Sequence, residues 1–311
     1  MVRRMKTACI LADGAQASRP WAGIASSRAR LAASQYLPVF IFLYGLLMGE
    51  SPAQAQVLSF SAEEYAFNGP EEVEAGWQMV RLINHGHDVH QVQFLGLPPG
   101  KTVDDVKQAL AGRLPRLPNW LRRHGGVNSV APGHEASVVI HLDPGNYVLL
   151  CGIPDATGRP HATHGMVRSL HVSEPGSRVV ASPQSDKTVS LKDFSFSLSE
   201  PLQVDDHILR LFNEGTQAHE MIVIRLAEGA STQDFLTSYR PGGAQNPAGA
   251  EVGGMTGIDP GREAYVHLDM QLGRYGLICF LADPVSGTSH FIRGMWMDLN
   301  VQQRSIPSEG P

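Results

Sequence analysis

The stretch Tyr275-Gly-Leu-Ile-Cys279 is hydrophobic and ends in a thiol, and a loop separates it from His290-Phe-Ile-Arg-Gly-Met295. The same arrangement occurs earlier in the chain, as Tyr147-Val-Leu-Leu-Cys151, a loop, and His161-Ala-Thr-His-Gly-Met166. The apolar residues before each cysteine are typical of a buried strand, and the Pro, Gly and Asp residues of each loop are typical of turns. A thiolate, an imidazole and a thioether brought together in this way would form a soft set of metal ligands.

These stretches belong to a duplicated unit, because further landmarks recur at matching offsets. The matching pairs are Asn84-x5-His90 with Asn213-x5-His219, Pro132-Gly133 with Pro260-Gly261, Gly145-x-Tyr147-x3-Cys151 with Gly273-x-Tyr275-x3-Cys279, and His161-x4-Met166 with His290-x4-Met295. We call residues 57–173 repeat 1 and residues 188–301 repeat 2, and we expect each to be one domain. The Ser-, Pro- and Gly-rich residues 174–187 predict a linker, and residues 302–311 predict a C-terminal tail.

The hydrophobic pattern within each repeat is that of strands. Ser137–Leu142 and Ala264–Leu268 alternate between two faces and are bounded by Gly and Pro. Arg210–Asn213 and Met221–Leu226 predict two strands on either side of a polar turn.

One segment of each repeat predicts a helix. Thr102–Leu110 begins with a possible capping box between Thr102 and Asp105, and Ser231–Tyr239 has a weaker helical pattern. Short strands with one inserted helix predict an all-β chain of two tandem Greek-key β-sandwich domains, each with a short helical insertion.

Residues 1–55 predict a secretory signal peptide rather than part of a folded core. The apolar run Leu37–Met48 follows a segment rich in Lys and Arg, and Ala53-Gln-Ala55 offers the small residues that signal peptidase requires. We expect cleavage after Ala55 and export to the periplasm or beyond. An uncleaved N-terminal anchor is the alternative, although the apolar run is short for a bilayer span.

Charge and cysteine content restrict the classes of function. Without residues 1–55 the chain has 19 Lys and Arg against 28 Asp and Glu, a net charge of about −9, and no basic stripe suggests nucleic-acid binding. Cys9 would be removed with the signal peptide, which leaves Cys151 and Cys279. A disulfide between them is the alternative in an exported protein. Their equivalent positions in separate repeats disfavour it.

Each repeat contains the ligand set that suits a copper ion cycling between Cu(I) and Cu(II), namely one thiolate, two imidazoles and a weak axial thioether. The candidate metal ligands are His90, Cys151, His161 and Met166 in repeat 1, and His219, Cys279, His290 and Met295 in repeat 2. Zinc could use the His and Cys residues, but Met is a poor zinc ligand. Alternatively, the cysteines and methionines are hydrophobic core residues.

The combined landmarks, Asn-x5-His, Pro-Gly, Gly-x-Tyr-x3-Cys and His-x4-Met, resemble the cupredoxin family of plastocyanin-like blue copper proteins over residues 57–301. The resemblance implies a Greek-key β-sandwich, a periplasmic or extracellular location and, often, electron transfer to a redox partner protein. The second His follows the Cys by ten residues in repeat 1 and eleven in repeat 2, against three in plastocyanin-like proteins. Some cupredoxin-like domains bind no copper, so a metal-free interaction module is the alternative function.

Repeat 1 has additional histidines, at His85, at His87, and at His164 where repeat 2 has Arg293. His-x-His pairs hold catalytic copper in multicopper oxidases and copper nitrite reductases, which raises an oxidase or reductase as a further alternative. Those enzymes also flank the blue-copper Cys with His, whereas neither cysteine here has a His neighbour. We therefore favour solvated loop histidines or an accessory metal site. No hydrolase motif is present.

Overall fold

The computed structural model describes residues 57–112, 117–176, 180–240 and 246–303. The predicted signal peptide, its cleavage site and Cys9 lie outside these ranges. Within them, no helix combines the length and the apolar character that crossing a bilayer requires.

The described chain is mostly β. The strands of repeat 1 are β1 (Val57–Glu63), β2 (Ala66–Asn68), β3 (Glu72–Glu74), β4 (Gly76–Asn84), β5 (Gln93–Gly96), β6 (Arg122–Gly125), β7 (Glu135–Leu142), β8 (Gly145–Leu150) and β9 (Val167–Ser173). The strands of repeat 2 are β10 (Lys187–Lys192), β11 (Ser195–Leu198), β12 (Asp205–Asn213), β13 (His219–Leu226), β14 (Gly249–Ile258), β15 (Glu263–Met270), β16 (Gly273–Ile278) and β17 (Trp296–Val301). The strands predicted at Ser137–Leu142 and Ala264–Leu268 are confirmed as parts of β7 and β15.

In the described part of each repeat there is one α-helix, which lies between β5 and β6 in repeat 1 and between β13 and β14 in repeat 2. The helices are α1 (Val103–Leu110) and α2 (Thr232–Ser238). The Thr102 hydroxyl accepts a hydrogen bond from the Asp105 N–H at 3.2 Å, and the Asp105 carboxylate accepts one from the Thr102 N–H at 2.8 Å. Ser231 and Asp234 make the same reciprocal pair before α2, so each helix begins at a capping box.

Among the described residues the strands form two sheets, and both sheets run through both repeats. The eight-stranded sheet has the order β11-β10-β12-β15-β7-β4-β1-β2, and the nine-stranded sheet has the order β17-β16-β13-β14-β6-β5-β8-β9-β3. The repeats are joined where β7 pairs with β15 and where β6 pairs with β14, and both pairings are antiparallel.

The register of these two joints relates the repeats by a local two-fold axis. The Pro-Gly landmarks place repeat 2 at an offset of 128 residues here, and Val138 pairs with Val266, its own equivalent. In the other sheet Val127 bridges Met255, which is again its equivalent. Antiparallel strands that each meet their own counterpart are what a two-fold axis requires.

The largest cluster of buried hydrophobic residues, from Leu58 to Val301, contains residues of both repeats, and two smaller clusters under the helices belong to one repeat each. Two tandem domains, as expected from the sequence, would each have a separate core. The difference arises because both sheets continue across the joint, so the side chains beneath them also continue. Cys151 and Cys279 are free thiols inside this cluster, so the alternative of a disulfide between them is not realised.

Candidate metal centres

The first histidine of each centre is positioned by the asparagine that precedes it by six residues. Asn84 Oδ1 accepts the Gly86 N–H at 2.8 Å, and Asn84 Nδ2 donates to the carbonyls of Asp88 and Val130 at 2.7 and 2.8 Å. These bonds fold the loop that leads to His90. In repeat 2 the same three bonds join Asn213 to Gly215, Gln217 and Ile258.

The second histidine returns to the cysteine despite the long loop between them. The His161 N–H donates to the Ile153 carbonyl at 2.9 Å, and the Ala162 N–H donates to the Cys151 carbonyl at 2.9 Å. The Cys151 N–H donates to the Met166 carbonyl at 3.2 Å. The chain on both sides of the loop is therefore tied to the cysteine by its own backbone, and repeat 2 makes the equivalent bonds around Cys279.

An aspartate organises each of these loops. Asp155 accepts the backbone N–H groups of Thr157 and Arg159 at 2.8 and 2.9 Å, and His164 Nε2 lies 2.8 Å from the same carboxylate. In repeat 2 Asp283 accepts the N–H groups of Val285 and Ser286 and a hydrogen bond from Arg293 Nη1 at 2.8 Å. His164 and Arg293 thus have the same structural role, which is to hold the loop through its aspartate.

The other two additional histidines are not drawn into a centre. His85 and His87 are exposed on the loop before His90, and in the described part of the chain neither belongs to a cluster of metal-ligating groups. The predicted His-x-His pair therefore has the arrangement of solvated loop residues.

The three donor atoms predicted for repeat 1 meet in the core. Cys151 Sγ lies 4.0 Å from His90 Nδ1 and 3.6 Å from His161 Nδ1, and the two Nδ1 atoms are 3.2 Å apart. All three side chains are buried. Metal–ligand bonds of about 2.0–2.3 Å place two donors of one ion within roughly 4 Å of each other, so these separations fit a single ion.

Repeat 2 has the same arrangement. Cys279 Sγ lies 3.4 Å from His290 Nδ1, and His219 Nδ1 lies 3.1 Å from His290 Nδ1. The donor atoms of His219, Cys279 and His290 all lie within 4.8 Å of one another. Both centres thus present two imidazoles through Nδ1.

Met166 and Met295 lie beside their centres through the backbone. Each donates its N–H to the carbonyl of the second histidine, at 3.3 Å for Met166 and 3.0 Å for Met295. Both side chains are fully buried in the same cluster as the cysteines. These positions are compatible with the thioether role expected from the sequence.

A carboxylate contacts the outer nitrogen of the first histidine in each repeat. Glu64 Oε1 lies 3.2 Å from His90 Nε2, and Asp193 Oδ1 lies 2.9 Å from His219 Nε2. Partial burial opposes ionisation of each acid, but hydrogen bonds outweigh it and hold the pKa of both carboxyls down to about 2. An ionised acceptor requires a proton on Nε2, which leaves the Nδ1 lone pair free to bind a cation.

The outer nitrogens of the second histidines differ. His290 Nε2 lies 3.1 Å from Gln217 Oε1, whereas His161 Nε2 is buried, makes no hydrogen bond to any described residue and lies 3.9 Å from Asp88 Oδ2. In repeat 2 both imidazoles therefore donate from Nε2, so two Nδ1 lone pairs face each other at 3.1 Å. Two lone pairs at this distance repel unless a cation lies between them, which is why the donor set fits a metal ion.

Burial controls the protonation of the donor groups. It raises the pKa of the Cys151 thiol to about 12, and it raises the pKa of Cys279 together with the nearby charge of Glu220. Burial also lowers the pKa of His90, and for His290 burial and His219 lower the pKa to about 4. The imidazoles are thus neutral and ready to coordinate, and a cation would displace one proton from each thiol.

Sequence reasoning missed the acid–aromatic pairs Glu64-Tyr65 and Asp193-Phe194. The Tyr65 ring lies 4.9 Å from the His161 ring, and the Phe194 ring lies 5.2 Å from the His290 ring. In both repeats the acid precedes the first histidine by 26 residues. That shared offset was a detectable signal, because it extends the same duplicated pattern.

Solved structures similar to this chain include several copper proteins. The reduced auracyanin of Roseiflexus castenholzii is 20% identical, with 39% of this chain and 99% of that chain covered and a TM-score of 0.28. The copper nitrite reductase of Thermus scotoductus is 14% identical, with 83% and 67% covered and a TM-score of 0.24. The blue copper oxidase of Nitrosomonas europaea is 14% identical, with 80% and 86% covered and a TM-score of 0.24.

TM-scores this low do not support a conclusion by themselves. No protein-family model matches the chain, and no curated protein matches its sequence. The interpretation therefore depends on this chain's own two-sheet architecture, on its duplicated landmarks and on its paired His-Cys-His groups. These features agree with the mostly β, duplicated chain that the sequence predicts.

Proposed function

We propose that this chain is an exported copper-binding protein with two Greek-key cupredoxin-like domains, which transfers electrons or handles copper. The observation that carries the proposal is the convergence, in each repeat, of one thiol and two imidazoles whose donor atoms lie within 4.8 Å of one another. One thiolate and two imidazoles suit copper in both oxidation states. The methionine of each repeat is the proposed weak axial ligand.

Copper, when bound, would supply one-electron chemistry, and the chain would supply the environment. The buried cysteines and histidines exclude water from the centre, and the Asn84 and Asn213 networks hold the first histidine in one orientation. A centre that is held rigidly changes little between oxidation states, which favours fast electron exchange with a redox partner protein.

Loading with metal tests the proposal directly. The chain without residues 1–55 is expected to bind one copper per repeat and to develop the intense visible absorption of a thiolate–Cu(II) bond. Zn(II) loading is the matched control, because it occupies the same donors without colour. A colourless protein that retains no copper after dialysis would contradict the proposal and would favour the metal-free interaction module.

Export is tested separately. The small residues at Ala53 and Ala55 predict a mature N-terminus at Gln56. N-terminal sequencing of the protein purified from its native source is expected to begin there. Recovery of the intact chain from a cytosolic fraction would contradict export without affecting copper binding.

A further inference from the structure

A cavity of about 440 Å³ lies between the two repeats, next to both candidate metal centres. The residue that follows each of the six His and Cys donors lines this cavity. These residues are Gln91, Gly152 and Ala162 in repeat 1, and Glu220, Phe280 and Phe291 in repeat 2. The cavity therefore has wall positions that are equivalent in the two repeats.

Although the positions are equivalent, the two walls differ in chemistry. Repeat 1 presents Gln91 where repeat 2 presents Glu220, and Ala162 where repeat 2 presents Phe291. Gly152 likewise occupies the position that Phe280 has in repeat 2. At these positions repeat 1 is small and uncharged where repeat 2 is aromatic and acidic, and Arg123 of repeat 1 occupies the position that Glu251 has in repeat 2. A cavity that served only as a packing gap would not require this division.

The acidic wall has two carboxyl groups, and burial raises the pKa of both, that of Glu220 to about 7. Glu220 is 5% exposed, and its carboxylate accepts only neutral donors, the Phe280 N–H at 3.0 Å and Asn128 Nδ2 at 3.4 Å. Glu251 adds a second carboxylate to the lining. Among the described lining residues Arg123 is the one cation, and its guanidinium also faces Asp259 at 3.9 Å. Buried carboxylates are costly without a cationic partner.

The aromatic part of the same wall is continuous. The Tyr239 and Phe280 rings have centroids 4.9 Å apart, and the Phe280 and Phe291 rings are 5.2 Å apart. All three residues line the cavity. Aromatic faces attract cations, and aromatic side chains next to carboxylates are the usual surroundings of bound organic ammonium groups.

From this combination we propose that the cavity binds a small organic cation, an amine or quaternary ammonium with apolar substituents. The cationic group would lie against Glu220 and Glu251, and the apolar substituents would lie against Tyr239, Phe280 and Phe291. The volume falls within the range of about 300–1,000 Å³ that small-molecule sites occupy. None of the side chains of this ligand site is a candidate metal ligand, but Glu220 follows His219 and its N–H donates to Cys279 Sγ at 3.5 Å, so the site adjoins the metal centre of repeat 2.

Isothermal titration calorimetry with two probes tests the site on the full chain as purified, with the same metal content in the wild type and in every variant. Benzyltrimethylammonium and choline are expected to bind with saturable one-to-one stoichiometry, benzyltrimethylammonium more tightly because of its ring. Neohexanol, the uncharged carbon isostere of choline, is expected not to bind. Absence of saturable binding by both cations, or equal binding of choline and neohexanol, would overturn the proposal.

Variants that remove the asymmetry of the walls provide the second test. Glu220→Gln introduces the amide that repeat 1 has at this position, and Glu251→Gln removes the other carboxylate at a position away from the metal ligands. Each is expected to weaken binding of benzyltrimethylammonium by about ten-fold. Phe291→Ala is expected to weaken it roughly five-fold through loss of one aromatic face.

The matched control is Glu135→Gln, which removes a half-exposed carboxylate outside the cavity and is expected to leave the affinity unchanged. Thermal unfolding of each variant establishes that it is folded before titration. If Glu251→Gln and Glu220→Gln both bind the cations as the wild type does, or if Glu135→Gln weakens binding as much as they do, the cavity is not the cation site and the proposal is wrong.

Discussion

The two candidate metal centres have the same donors but different supports. In repeat 2 the Nε2 atom of each imidazole has a hydrogen-bond partner, which is Asp193 for His219 and Gln217 for His290. In repeat 1 the first imidazole is hydrogen-bonded to Glu64, whereas the buried Nε2 of the second makes no hydrogen bond within the described residues and has the Asp88 carboxylate, the equivalent of Gln217, at 3.9 Å. Hydrogen bonds to the outer nitrogen fix a ligand's orientation and strengthen its coordination. The comparison therefore indicates that repeat 2 is the better preorganised centre.

The largest effect is expected from replacing the cysteine of one centre, which should abolish that centre and leave the other intact. Cys151→Ser and Cys279→Ser should each abolish the visible absorption of its own repeat and leave that of the other, because a hydroxyl cannot replace the polarisable thiolate. Copper titration followed by absorption spectroscopy measures this. If either single variant loses all colour, the centres are not independent, and if neither loses any, the cysteines are not ligands.

Removing the carboxylate behind the first histidine should have the next largest effect. Asp193→Asn and Glu64→Gln keep the side-chain size but replace an ionised acceptor by a neutral amide. Copper affinity in the altered repeat is expected to fall roughly 10–100-fold, with the colour retained at saturating copper. Competition with a chelator measures the affinity. An unchanged affinity in both variants would show that the carboxylates only pack against the rings.

The next effect is on the pH dependence of stability, and it is expected from a buried histidine that repeat 1 has and repeat 2 lacks. Burial, reinforced by Arg262, lowers the pKa of His124 from 6.5 to about 4, whereas repeat 2 has the exposed Val252 at the equivalent place. Below pH 6.5 the unfolded chain binds a proton that the native chain refuses, so stability is lost as the pH falls from 6.5 towards 4. The loss from this residue is on the order of 3 kcal/mol at most.

Urea unfolding of the metal-free wild type and of His124→Gln across this pH range measures that contribution. The variant should lose less stability on acidification than the wild type, and the curves should converge at low pH. Parallel curves would mean that His124 does not titrate in this range. The difference between the two proteins is the informative quantity, because the buried histidines of both centres titrate in both proteins.

The smallest effect is expected from removing the hydrogen-bond partner of His290 Nε2 in repeat 2, where repeat 1 has only the more distant Asp88 carboxylate, 3.9 Å from His161 Nε2. Gln217→Leu removes the partner of His290 Nε2 and leaves Asp193 in place. The copper dissociation rate of repeat 2 should rise about three-fold and approach that of repeat 1. Stopped-flow transfer to a chelator measures the two rates. A rate in repeat 2 that stays unchanged would show that Gln217 does not support the centre.

Much of each centre was predictable from the sequence because its elements are local. Adjacent residues indicate the strand before each cysteine, the turn after it and the histidine–methionine spacing. The alternation of apolar and polar residues predicts β7 and β15. The pairing of β7 with β15 was not predictable, because it depends on a register between residues 128 positions apart. Glu64 and Asp193 were missed because the chain brings them to the histidine from a distant turn.

The cavity between the repeats could not be predicted from the sequence for another reason. Its two walls belong to different repeats, and the sequence pattern of one repeat does not show which of its residues would line a cavity. Only the two joints between the repeats bring Gln91 and Glu220 to the same cavity. The substitutions that distinguish the walls are visible in the alignment of the repeats, but their shared location is not.

The strand pairing across the two-fold axis has a consequence for the history of the chain. A polypeptide with a single repeat would leave β6 and β7 as open sheet edges, and a second copy could cover both through the register seen here. The present molecule thus has the form of a homodimer whose two subunits became one gene product. Fusion allows the two halves to mutate independently, so that one half could acquire the acidic and aromatic residues of the cavity while the other kept small side chains at the equivalent positions.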